Sequence, residues 1–113
     1  MLTMDGLRQF GADVDSGLAR CLNNEAFYLK LVEKAAGDAV FGKLSDAIGA
    51  KDLDAAFEAA HSLKGVAGNL SLTPIYDPAV EITEHLRSRA DMDYTELLRR
   101  ILAKRDELTA LCS

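Results

Sequence analysis

Of the two histidines in this chain, His61 lies in the stretch AAHSLKGVAGNLSL, among residues that could support an imidazole nucleophile. A neutral imidazole keeps one ring nitrogen unprotonated at cellular pH, so it can attack an electrophilic phosphorus without recruiting a base. Lys64, one helical turn on, could attract a phosphoryl group and stabilise a phosphohistidine. Glu58, nearly a turn before, is a candidate for accepting a hydrogen bond from the other ring nitrogen and orienting the ring. Gly65 and Gly68 are the less ordinary neighbours. Each glycine inside a helix costs roughly 1 kcal/mol relative to alanine, and a strip without side chains beside one histidine makes sense if another protein must approach it. Phe57 either supplies an apolar contact to that partner or is buried beneath the N-terminal segment. No Ser or Cys nucleophile with a supporting carboxylate is apparent, which places a hydrolase last.

These residues matter only if one element presents them together. On a wheel of about 100° per residue with His61 at zero, Asp54, Phe57, Glu58, Lys64, Gly65 and Gly68 fall within roughly 60°. Ala56, Ala59, Leu63, Val66, Ala67 and Leu70 lie more than roughly 100° away and form the apolar face. The spacing therefore predicts a helix from about Leu53 to Leu70, with Asp52 as its cap and His61 facing outward.

The rest of the chain reads as helix of the same kind. Asn24 caps a segment to Ala36, with Tyr28, Leu31, Val32 and Ala35 on one stripe and Gly37 as its stop. Asp38 caps the next, where Val40, Phe41, Leu44, Ala47 and Ile48 recur at three-and-four spacing as far as Gly49. Pro78 fits poorly inside a helix begun at Thr73, so the expected start is Asp77, with Pro78 as first helical residue, Thr73 to Tyr76 as a turn and an end near Ala90. Asp93 and Glu96 have capping-box spacing ahead of Tyr94, Leu97, Leu98, Ile101, Leu102, Leu108 and Leu111. The expected fold is all-α. It is one domain over residues 1–113, an antiparallel four-helix bundle at 38–112 with N-terminal capping helices at 1–36, among them one or two short ones carrying Leu7, Phe10, Val14 and Leu18.

Composition narrows the partners. Thirteen Lys and Arg against 18 Asp and Glu give a net charge of -5, which argues against nucleic acid and for a protein surface. There is no basic, apolar leader and no apolar run near the ~20 residues that span a bilayer, so a cytoplasmic chain is expected. Cys21 and Cys112, far apart, read as reduced structural thiols. His85, at the boundary of its own apolar stripe, reads as structural. The chain carries no Gly-rich nucleotide loop, catalytic-loop pattern or metal-ligand cluster, so kinase chemistry and any magnesium must come from the partner.

From His61 to Leu70, HSLKGVAGNL resembles the signature of histidine-containing phosphotransfer (HPt) domains of bacterial multistep phosphorelays, and YLKLVEKAAGD resembles the helix that precedes their bundle. The resemblance implies that His61 takes a phosphoryl group on its outer ring nitrogen from a receiver-domain aspartate and passes it to another. Receivers of hybrid sensor kinases and response regulators would be the partners, and a monomer is expected. Lys64 carries over as the supporting charge, Gly65 and Gly68 as cleared contact positions. Ser71 stands where many members have glycine, which predicts an altered turn. Two other readings share these residues: a receiver-binding module that works without phosphorylation, and the N-terminal piece of a chemotaxis-type histidine kinase.

Overall fold

The computed structural model describes residues 1–113 and contains seven helices and no strand. Two short helices, α1 (Met4–Phe10) and α2 (Val14–Arg20), lead into α3 (Glu25–Ala36). The bundle follows as α4 (Val40–Gly49), α5 (Leu53–Asn69), α6 (Thr73–Arg87) and α7 (Thr95–Cys112). Thr3, Asp13, Asn24 and Asp52 each accept a backbone N–H three residues on, from Gly6, Ser16, Phe27 and Ala55. These bonds satisfy donors that a helix start leaves unpaired, which is why four boundaries follow local sequence. Asp38 serves α4 one register earlier, accepting the Val40 N–H at 2.8 Å.

α5 packs between α4 and α6, and α7 touches both α4 and α6, closing a four-helix ring. Short connections between neighbours make them antiparallel. A cluster of 29 buried residues unites all seven helices, with Leu7, Tyr28, Val32, Leu44, Leu63, Ile82, Ile101 and Leu108 fully enclosed. No helix is long and apolar enough to cross a membrane.

Two boundaries differ from expectation. α6 begins at Thr73 rather than Asp77, so Pro78 lies inside the helix and Pro74 in its first turn. Pro74 costs little there, because first-turn N–H groups lack intrahelical partners anyway. Pro78 forfeits one hydrogen bond, a penalty of ~3 kcal/mol in a helix interior. Against it, the longer helix buries Ile75 together with Pro78, Ala79, Ile82 and Leu86 on one stripe, and enclosing an isoleucine alone contributes about 1.5–3 kcal/mol. Burial decides the boundary. The helix then ends at Arg87, short of Ala90, with Arg89 in the left-handed region at φ 55. At α7 the capping box does not form. Asp93 accepts the Thr95 N–H at 2.9 Å, and the Thr95 donors hold its carboxyl below the usual carboxylate range. Tyr94 takes the cap position because its ring is buried while its hydroxyl donates to the Ala90 carbonyl at 2.7 Å.

The C-terminal end of α5 is held from three directions by the N-terminal segment. The Arg20 guanidinium donates to the Gly68 carbonyl, the Tyr28 hydroxyl to Leu70 at 2.7 Å and the Asp13 N–H to Ser71 at 2.9 Å. Within the turn, Leu72 N–H bonds Ala67 and Ser71 N–H bonds Gly68, the pairing by which helices end on a left-handed residue. The turn is therefore the glycine-type turn after all, with Ser71 holding φ 55. A side chain there costs about 0.5–1 kcal/mol relative to glycine. Ser71→Gly is accordingly expected to raise the thermal midpoint by about 4 °C in a melt followed by circular dichroism.

Tyr28 supplies a second test of this junction. Its ring is fully enclosed, and burial, reinforced by the negative charge of Cys21 and Asp13, pushes the phenol up to about 12 from 10.0. The folded chain thus holds that proton more tightly than the unfolded chain does. Its contribution is complete below pH 10 and disappears as pH climbs from about 10 to about 12. Denaturant midpoints measured across that window are expected to fall in the wild type, and to fall less in Tyr28→Phe.

Candidate functional site

The His-bearing helix is anchored by small residues. Ala56, Ala59, Ala60, Leu63 and Ala67 are buried, so α5 lies close against its neighbours and its opposite face stands out as a ridge. Val66, expected in the core, is only half-buried. His61 is exposed at the ridge, as the wheel predicts. No group of three or more His, Cys, Asp or Glu side chains is placed to hold a metal ion.

The two flanks of the ridge differ in charge. Toward α4 runs an open groove lined by Asp38, Asp46, Asp52 and Glu58, with Lys43 as its cation. Toward α2 and the start of α6 lies a polar groove of about 500 Å³ lined by Arg20, Lys64, Gly65, Gly68 and Tyr76, among others, with Asp13 as its one carboxylate. Lys64 is half-buried and forms none of the ion pairs of the structure. Its ammonium is therefore available to an incoming anion, whereas the lysine and arginine heads in exposed pairs are already partly screened.

Glu58, the candidate for orienting the imidazole, faces the acidic groove and makes no hydrogen bond to the ring. The imidazole instead stacks on Phe57, with centroids 5.9 Å apart and 15° between the planes. Phe57 is half-buried. Over its ring lies the guanidinium of Arg87 on α6, 5.1 Å from the centroid, and not the N-terminal helices.

The two glycines also part company. A Cβ at Gly65 would meet nothing within 4 Å, so that position is open. A Cβ at Gly68 would lie 3.0 Å from Cε1 of Tyr76. Gly68 is thus a packing glycine beneath an aromatic ring, contrary to the expectation of two bare positions. Arg20, Tyr76 and Arg87 leave little trace in the sequence around His61 because each reaches the ridge from another helix. Only the Glu84–Arg87 spacing of three, which forms a 3.4 Å ion pair, left a local trace. His85 is half-buried on α6.

His61 thus stands on an exposed face between two grooves and lines neither of them. The Hpt domain family model matches residues 33–113, and the chain belongs to that family. Hpt domains are histidine phosphotransfer carriers of phosphorelays rather than kinases, and they interact with receiver domains. Neither the curated proteins nor the solved structures give a match to this chain.

Proposed function

We propose that His61 accepts a phosphoryl group from a receiver-domain aspartate and passes it to the aspartate of a second receiver. The observation that carries this reading is the exposed His61 on a ridge where Gly65 is open and Lys64 is uncommitted. The outer ring nitrogen forms a bond to phosphorus as the aspartyl oxygen–phosphorus bond breaks, and the receiver's carboxylate leaves with that electron pair. Lys64, a turn along the ridge, offsets charge on the phosphoryl oxygens, and the open position at Gly65 lets the receiver's acidic pocket approach in line. A magnesium ion held by the receiver supplies further charge neutralisation. The reverse sequence of bonds returns the group to the next aspartate. Because a carrier must release one partner before engaging another, the contact is small and short-lived.

The test is incubation with a phosphorylated receiver and magnesium, followed by mapping of the label. The expected product is an acid-labile, base-stable phosphoryl group on the peptide containing His61, which a second, unphosphorylated receiver then removes. Absence of label, with receiver binding retained, would reassign the chain to a phosphorylation-independent docking module.

A further inference from the structure

An exposed imidazole on a helix ordinarily samples several rotamers, yet phosphoryl transfer needs its nitrogen aimed along one line. A carboxylate hydrogen bond commonly gives that order, and Glu58 does not provide it. Phe57, four residues before His61 and on the same face of α5, lies nearly parallel to the imidazole at a centroid distance of 5.9 Å. This is an offset stack within the range at which aromatic rings attract. Phe57 is in turn fixed from α6. The Arg87 guanidinium is 5.1 Å from its centroid, close enough for a cation–π contact. Glu84 Oε1 holds the Arg87 Nε at 3.4 Å. A chain of contacts therefore runs from Glu84 through Arg87 and Phe57 to the imidazole.

Stacking restrains a ring by its face and leaves both nitrogens, which lie on the edge, free. A hydrogen-bonded carboxylate would instead engage one nitrogen and add a negative charge where a phosphoryl group must arrive. The stack suits an acceptor approached from outside. We propose that Phe57, clamped by Arg87, is a positioning residue that holds the His61 imidazole in the orientation presented to the receiver. This inference rests on the acceptor reading above, and it assigns Phe57 to ordering the nucleophile rather than to contacting the partner.

Phe57→Leu keeps apolar bulk and removes the aromatic face, Phe57→Tyr keeps the face, and Arg87→Gln removes the clamp. Each is compared with wild type in rapid-quench transfer from a phosphorylated receiver at varied receiver concentration, with NMR of the His61 ring and a thermal melt as controls. Phe57→Leu is expected to lower the maximal transfer rate roughly tenfold, with receiver KM within about twofold, and to abolish the ring-current shift of the His61 protons. Phe57→Tyr restores both rate and shift, and Arg87→Gln gives an intermediate rate. An unchanged maximal rate in Phe57→Leu, a rise in KM alone, or failure of Phe57→Tyr to restore the rate would overturn the positioning role while leaving the acceptor reading intact. A wild type that takes no label overturns the acceptor reading first and the positioning role with it.

Discussion

His61→Gln is expected to take no phosphoryl label from any phosphorylated receiver, while keeping the wild-type circular dichroism spectrum and a thermal midpoint within about 2 °C. The loss should be complete because a glutamine amide is not a nucleophile toward phosphorus and nothing beside it on the ridge replaces the imidazole. The fold should survive because His61 is exposed, accepts no hydrogen bond that the core depends on, and gives up only its stack with Phe57. The measurement is an autoradiograph of transfer time courses for the two proteins at equal concentration. Label persisting at the wild-type level in His61→Gln would sink the assignment. The residue to examine next would then be His85, the other histidine, half-buried on α6.

The largest structural effect is expected at a residue remote from the chemistry. An added Cβ at Gly17 would lie 2.6 Å from Cε1 of Tyr28 and 2.7 Å from both its Cζ and its hydroxyl. That ring cannot easily give way, since it is fully enclosed and its hydroxyl holds the Leu70 carbonyl. Gly17→Ala should therefore destabilise the chain by about 3 kcal/mol, combining overpacking with a strained or lost buried hydrogen bond. Stability for a domain of this size is ~6–17 kcal/mol, so the variant remains folded at low temperature but melts ~10 °C or more below the wild type. Gly42→Ala provides the contrast. Gly42 lies within α4 with nothing within 4 Å of an added Cβ, so the same substitution there should stabilise by up to ~1 kcal/mol. Equal melting behaviour for the two variants would show that Tyr28 is not packed against α2 as described.

Gly17 and Tyr28 also show how the N-terminal segment bears on the site. The family match begins at residue 33, yet Asp13, Arg20 and Tyr28 supply the donors that satisfy the end of α5. Of the three bonds, that from Tyr28 to the Leu70 carbonyl is buried, and a buried carbonyl left unpaired costs about 1–3 kcal/mol, so this bond matters most for the end of the His-bearing helix. Arg20 adds a second consequence. While donating to the Gly68 carbonyl it lines the same polar groove as Lys64. Its charge lies near the C-terminus of a helix, where cations are favoured.

On the proposed reading, the charge contrast across the ridge gives the phosphoryl donor a preferred side of approach. Asp38, Asp46, Asp52 and Glu58 with one cation, Lys43, lie on one side, and Arg20 and Lys64 with one carboxylate, Asp13, on the other. The phosphoryl group arriving on that reading is anionic, so it is favoured on the flank of Arg20 and Lys64 and repelled from the acidic one. Such steering acts on the rate and orientation of encounter more than on the lifetime of the complex, which fits a carrier that must let go.

What the residues alone determined was everything set within a few turns of helix. Asn24 and Asp52 mark helix starts because a side-chain oxygen three residues from an N–H must act locally. His61 faces outward because Leu63, Ala67 and Ala59 occupy the other side of the same helical wheel. The motif from His61 to Gly65 lies on one helix and could be read there. What only the tertiary structure decided was whatever depends on residues brought together from different helices. Burial of Ile75 together with the Pro78 ring and Ala79 offsets the penalty of Pro78, so α6 starts a turn early. Tyr76 fills the space over Gly68, one of the two positions expected to be bare, and Arg87 lies over Phe57. Donors from residues 13–28 complete the turn at Ser71. Periodicity reports which face of a helix is apolar, but it carries no information about which side chain of another helix arrives there. At this site that neighbour, Arg87, lies over the Phe57 ring on which the imidazole stacks.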